Sequence, residues 1–386
     1  MAFSVYVHVP FCRTRCRYCA FYSGEPVALL EDYPRLVEAE IDIAQRSGSP
    51  RGPARTVYFG GGTPSLLPPE GASRILRAVE RAWGIEPDAE VSMEINPGGS
   101  TDLPALRAAG VTRASVGVQC LDDGLLAFLG RSHTAHEARS AVDRAIQTGF
   151  SSVGVDLLYG IPGLGPRVLA QWAGELADLG TSHVSAYSLE IHEGTSLASE
   201  GFEPASSDEE EAQWLVLCQE LEARGLGIYE VSNFARPGAQ CRHNHSYWNG
   251  TAYLGLGPGA HSFAPERGAW GERSWNAAGM AAYGAHLRRG AAPPGGRETL
   301  DREQAFLETL FLSLRRAEPI DVSSVESAFG LDPGGLDFAF HRMSEHGYAR
   351  GETARAYVPT PEGMRRADGL ATWICSRISF GANGPS

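Results

Sequence analysis

Apolar and polar positions alternate in six short runs over the first half of the chain, at 4–9, 56–59, 90–95, 113–118, 152–158 and 183–190, each rich in β-branched or aromatic residues. A period of two predicts β-strands. Between the runs, residues 29–46, 69–83, 122–129, 136–148 and 167–179 repeat their apolar positions at helical spacing. Strands alternating with helices form parallel βα units, so the pattern predicts an α/β fold built on a partial (β/α)6 barrel. A further helical stretch covers 208–224. Residues 229–263, rich in Gly, His and aromatics, read as irregular but ordered, and 264–297 shifts to Gly, Ala, Pro and Arg. The Ala-Ala-Pro-Pro-Gly-Gly run at 291–296 predicts a boundary. Beyond it, helices near 301–314, 323–329 and 333–346 followed by a hairpin over 348–358 outline a small, mainly helical, winged-helix-like unit. The expected division is a barrel over 1–235, a connecting region over 236–297 and a C-terminal unit over 298–386.

Reactive groups of such barrels sit at the carboxyl ends of the strands, and the unusual residues fall there. A cysteine loop follows the first strand, Gly60-Gly61-Gly62 the second; Glu94 ends the third, Gln119 follows the fourth, and Asp156 lies in the fifth. The loop reads Cys12-Arg-Thr-Arg-Cys16-Arg-Tyr-Cys19. Three closely spaced thiolates can hold three corners of a 4Fe-4S cubane and leave the fourth iron open to a small chelating ligand. A zinc site is the competing reading, but no second Cys pair or His-x-x-x-His lies nearby. Arg13, Arg15 and Arg17 make the segment too polar for a core strand.

Composition narrows the chemistry. The other cysteines, Cys120, Cys218, Cys241 and Cys375, are scattered singly, which predicts no disulfide framework and a reducing, cytoplasmic setting. No stretch approaches the roughly 20 apolar residues that span a bilayer. A formal net charge of −13 argues against a nucleic-acid surface; over 298–386 nine Arg face thirteen acidic residues, so the C-terminal unit is expected to pack or dock rather than bind DNA. The chain contains no lysine, which excludes Schiff-base and lysine proton-shuttle mechanisms.

CxxxCxxC on a loop after an N-terminal strand resembles the radical S-adenosylmethionine superfamily, in which the open iron is chelated by the amino and carboxylate groups of S-adenosylmethionine. That resemblance implies that Tyr18 flanks the adenine and that Gly61, Gly62 and Thr63 contact the methionine amino group. Longer matches point to its coproporphyrinogen III oxidase-like branch: Tyr6-Val-His-Val-Pro-Phe-Cys12, Gly60-Gly-Gly-Thr-Pro-Ser-Leu66, Glu94-Ile-Asn-Pro97, Gly117-Val-Gln119, Leu129-Gly-Arg131 and Asp156-Leu-Leu-Tyr-Gly-Ile-Pro162. Within that branch Tyr6, Glu94, Gln119, Arg131 and Asp156 match S-adenosylmethionine contacts position by position.

The branch contains both an oxidase of heme synthesis and a group of heme-binding chaperones. Three departures from the oxidase favour the chaperones. Cys19-Ala20-Phe21 lacks the oxidase's fourth cysteine, the first strand begins by Ser4 without the oxidase's long preceding segment, and Cys241-Arg-His-Asn-His-Ser-Tyr-Trp248 contains HNxxYW, similar to the chaperone group's motif. An imidazole at His243 suits an axial position on heme iron, and Tyr247 and Trp248 offer flat apolar faces to a porphyrin. Cys241 and His245 compete as ligands, and a packed, hydrogen-bonded histidine is the ordinary alternative. The resemblance implies a chaperone that binds heme, a 4Fe-4S cluster and S-adenosylmethionine and passes heme to acceptors such as respiratory hemoproteins, with a homodimer as the assembly. The alternative is the oxidase reaction, oxidative decarboxylation of coproporphyrinogen III to protoporphyrinogen IX.

Overall fold

The computed structural model describes residues 2–48 and 50–380. Six parallel strands form its centre: β1 (Phe3–Val9), β2 (Ala54–Gly61), β3 (Ile85–Ile95), β4 (Arg113–Gln119), β5 (Ser152–Tyr159) and β6 (His183–Ser188), each hydrogen-bonded to the next. Their alternation separates two faces. Val5, Val7 and Val9, Val57 and Phe59, Val91, Met93 and Ile95, and Val116 and Val118 are all buried against the helices. Tyr6, His8, Tyr58, Gly60, Glu94, Ser115, Gln119, Asp156 and Ser185 take the alternate positions and face inward. Register aligns them, since His8 pairs with Gly60, Glu94 with Ser115 and Asp156 with Ser185.

The intervening helices lie where the apolar spacing predicts, at Tyr33–Arg46, Pro69–Trp83, Asp123–Phe128, Ala135–Thr148, Pro166–Asp178 and Ser207–Glu222. Helix Pro69–Trp83 starts with Pro at its first position, where the missing N–H costs nothing, and buries Ile75, Leu76 and Val79. Each such side chain contributes roughly 1.5–3 kcal/mol. One short helix, Leu103–Ala108, was not foreseen; Asp102 caps it by accepting from the Ala105 N–H.

The sheet continues past both edges of the barrel. On the β6 side, β7 (Gly227–Glu230) and β8 (Asn233–Ala235) add antiparallel strands. On the β1 side, β9 (Tyr253–Leu256) pairs in parallel with β1, and β10 (His261–Ala264), β11 (Glu272–Asn276) and β12 (Gly295–Thr299) follow antiparallel, giving twelve strands. The Gly- and Pro-rich composition of 264–297 thus conceals two strands and helix Met280–Leu287.

A second core of Phe306, Leu310, Leu314, Phe329, Leu336, Phe340 and Ile374 lies in the C-terminal unit. Five helices, Arg302–Ser313, Val322–Phe329, Gly335–Glu345, Pro361–Arg365 and Ala367–Cys375, accompany a three-stranded sheet of β13 (Ile320–Asp321), β14 (Ala349–Thr353) and β15 (Ala356–Pro359), in the order β13, β15, β14. This unit joins the barrel through Val231 N–H donating to Arg315 O at 2.8 Å, Ala317 N–H to Tyr229 O at 3.0 Å, and an Arg365–Glu211 ion pair at 2.7 Å. Among the described residues no helix is long and apolar enough to cross a membrane.

Candidate functional site

The cysteine loop leaves β1 at Pro10 and is pinched at its base, where Glu25 N–H donates to Pro10 O and Phe11 bridges to Glu25. Its arginines anchor it. Arg17 donates from its backbone N–H to Leu129 O at 3.0 Å and from its guanidinium to Phe128 O at 2.8 Å, and Arg15 donates to Cys19 O. Cys12, Cys16 and Cys19 are free and partly exposed. Burial pushes the Cys12 thiol up, the Thr63 hydroxyl opposes this, and the neighbouring Cys19 and Cys16 add to the rise. Among the described residues no three His, Cys, Asp or Glu side chains close on a point for a single metal ion. A cubane takes each thiolate on a separate iron, so the donor chemistry it needs is three cysteines carried close together, as on this loop.

The glycine run borders this loop closely. Gly62 N–H donates to Val9 O and Thr63 N–H to Phe11 O, both at 2.8 Å, and the Thr63 hydroxyl donates to Cys12 Sγ at 3.5 Å. A Cβ at Gly62 would lie 2.6 Å from Phe11 O and 3.0 Å from Cys12 Sγ; at Gly61, whose φ is +113°, it would strike the His8 ring at 2.8 Å. Absence of side chains here is therefore a steric requirement of the loop as well as an opening for a ligand. A cleft of about 430 Å³ beside it is lined by Thr63, Asn96, Gly98 and Ser132 among others.

Behind the cradle stand two carboxylates. Glu94 accepts from the Tyr58 hydroxyl at 3.0 Å and from the Gly61 N–H at 3.2 Å. Burial, reinforced by Asp156, raises its pKa to about 8. Asp156 accepts from the Ser115 hydroxyl at 3.1 Å, and burial raises it to about 6. Arg131 closes the group, donating to Cys16 Sγ at 3.4 Å, Asn96 Oδ1 at 3.0 Å and Gly117 O at 2.8 Å, and so ties the cysteine loop to β3 and β4. Gln119 is the one non-glycine with positive φ among the described residues, at 68°, where the β4–β5 register shifts. Such a backbone persists only where surrounding contacts hold it, and active sites collect it. Tyr18 lies against Arg131, with burial raising its phenol above the ordinary range.

His243, the candidate axial ligand, lies on helix Arg242–Trp248. It is 1% exposed, its Nδ1 is 2.7 Å from the Thr56 hydroxyl and its Nε2 is 2.9 Å from the Tyr247 hydroxyl. Its backbone N–H donates to Glu90, and its ring stacks on Tyr58 at 4.9 Å, with Tyr6 at 6.3 Å. Burial lowers its pKa to about 3. With both nitrogens engaged, the imidazole must break a buried hydrogen bond before it can meet iron; in this conformation it props the ring stack beneath Glu94. Cys241 is likewise buried, beside Glu90, its thiol pushed up to about 12. His245 faces Glu318 at 3.6 Å.

Asn96 and Tyr58 were missed as site residues. Asn96 joins Arg131 to the Thr63 hydroxyl, to which it donates at 3.1 Å; its position two residues past Glu94, on the same strand face, is the signal that could have found it. Tyr58 has the same inward parity as Thr56 and Gly60.

A family model described as the Radical SAM superfamily matches residues 6–173. The heme chaperone HemW of Mycobacterium tuberculosis is 37% identical over 337 residues, covering 84% of this chain and 85% of its own. HemW of Synechocystis is 35% identical, covering 82% and 78%. Among solved structures, the coproporphyrinogen III oxidase HemN of Escherichia coli superimposes with a TM-score of 0.80 over 97% of this chain and 90% of its own, at 21% identity, a likeness of fold.

Proposed function

The chain belongs to the HemW family of the radical SAM superfamily, and from that premise we propose that it works as a heme chaperone, taking up heme and passing it to acceptor hemoproteins. The observation that carries the reading is the 37% identity to a heme chaperone over 84% of the chain; the oxidase shares the fold at 21%. The absence of a fourth cysteine at Ala20-Phe21 supports the same side.

Membership in the superfamily carries a 4Fe-4S cluster and S-adenosylmethionine with it, and Cys12, Cys16 and Cys19 are the residues that would hold the cluster. Bound there, the cluster supplies one-electron chemistry and an iron open to a chelating ligand. The chain's own groups do the rest. Arg131 donates to Cys16 Sγ and places a fixed positive charge against it. Gly61, Gly62 and Thr63 keep the loop open to main-chain contact; Glu94 and Asp156 offer acceptors to an ammonium and to ribose hydroxyls, and the Tyr6 and Tyr58 rings wall the interior below them. Gln119 presents an amide from its strained turn. The seven free cysteines support a reducing compartment, and we place the protein in the cytoplasm as a homodimer with respiratory hemoproteins among its acceptors.

Two anaerobic assays on the cluster-loaded protein test this. Mixed after heme loading with an apo-cytochrome, it should yield holo-cytochrome; given reductant, S-adenosylmethionine and coproporphyrinogen III, it should form no protoporphyrinogen IX. Catalytic porphyrinogen turnover with no heme uptake would establish the oxidase instead.

A further inference from the structure

A groove of about 740 Å³ opens on the C-terminal unit between helices Gly335–Glu345 and Ala367–Cys375, within the size range of pockets that bury small organic ligands. Its floor is apolar and flat: Met343 is buried, and Tyr348 and Trp373 lie half-buried beside it. Phe338 stands at its edge, 63% exposed, an apolar ring that folding leaves in water. The rim carries Arg342, Arg366 and Arg377 together with His346, in a chain whose overall charge is −13. Aromatic faces beside guanidinium groups complement a planar, apolar ligand with anionic substituents, and an imidazole among them complements one that carries a metal.

Two of these groups are free to act. His346 is exposed just past the end of its helix, and its ring contacts Tyr348 with centroids 6.3 Å apart while, among the described residues, no hydrogen bond occupies either ring nitrogen. That is the reverse of His243, closed at both. Arg377 lies over the Trp373 ring at 4.7 Å and donates to Trp373 O and to the Ser376 hydroxyl, with no carboxylate partner among the described residues. Arg342 pairs with Glu345 and Arg366 with Glu362 on their own turns, and Arg366 also faces Glu211 at 3.9 Å and lies over the Tyr348 ring at 5.7 Å. Exposed pairs of this kind contribute little, so exchanging a glutamate for a ligand carboxylate costs little.

We propose that this groove is the heme seat, with His346 as the single axial ligand, Trp373 and Tyr348 against the porphyrin, and Arg377 and Arg366 on the propionates. The assignment rests on the heme-chaperone reading and locates its cargo. A seat on an exposed helix end suits transfer, because an acceptor can reach the iron and propionates without opening the barrel.

The test is a titration of the full-length, cluster-loaded protein with ferric heme, followed by Soret absorption and electron paramagnetic resonance. Wild type should bind one heme per chain with a histidine-ligated spectrum. His346→Ala should abolish that signature and weaken binding at least about tenfold, and Arg377→Glu should weaken binding while keeping the signature. His341→Ala, which removes another exposed imidazole from the same helix, should do neither. Circular dichroism should be unchanged in all three. If wild type binds heme and neither His346→Ala nor Arg377→Glu alters affinity or spectrum, the groove assignment is overturned while the chaperone reading stands; loss of the signature in His243→Ala alone would overturn it too and move the seat to the barrel floor. A wild-type protein that takes up no heme would remove both.

Discussion

Glu94 and Asp156 carry negative charge poorly where they sit, since burial raises the first to about 8 and the second to about 6. A carboxyl whose pKa is higher folded than unfolded keeps its proton in the native state after the unfolded chain has released it. Its protonated form therefore supports folding below the ordinary value of 4.5 for Glu94, and that support is lost as pH rises toward 8. The melting temperature of the cluster-free protein should accordingly fall between about pH 4.5 and 8, and Glu94→Gln should flatten part of the slope; calorimetry across that window decides it, and parallel curves for the two proteins would contradict the assignment. Residue types and spacing were enough to nominate both carboxylates, because strand parity alone turns them inward. The state of His243 was not legible in the same way. Its partner Thr56 lies 187 positions away, and only the fold reveals that both ring nitrogens are already engaged.

Secondary structure sets where these groups begin and end. Arg131 lies three residues before the Thr134 cap of helix Ala135–Thr148, where the Thr134 side chain accepts from the Glu137 N–H and the Glu137 carboxylate accepts from the Thr134 N–H. This reciprocal cap fixes the first turn, and with it the chain direction from Arg131 onward. Thr134→Ala should cost about 1 kcal/mol in urea unfolding while leaving the helix content of the folded protein intact. All six central strands and the longer helices were readable from local periodicity, since alternation and helical spacing express each element's own buried face. Helix Leu103–Ala108 was not read from the sequence, although Asp123–Phe128, equally short, was. Strands β11 and β12 escaped because their Gly, Arg and Ser residues carry no apolar alternation, and pairing with β10 supplies what their composition lacks.

Across the whole molecule, a buried carboxylate stitches the added strands to the barrel. Glu40, on helix Tyr33–Arg46, accepts from Gly257 N–H at 2.8 Å, from the Tyr283 hydroxyl at 2.6 Å and from Asn276 Nδ2 at 2.6 Å. Burial raises its pKa to about 7 despite these three donors. Glu40→Ala would strand them and should cost on the order of 3 kcal/mol, with faster hydrogen exchange in β11 than in β3; equal exchange at both strands would contradict the link. The amino-acid sequence alone determined the parallel strands, their inward-facing residues and the cysteine loop, because these follow from spacings of two to about four residues within a single element. Tertiary structure alone decided that His243 is closed beneath the ring stack, that 253–299 extends the barrel sheet, and that His346 and Arg377 flank an open apolar groove. Each of those rests on contacts between segments far apart in the chain, and a hydrogen bond or a cavity exists only once both sides have been brought together.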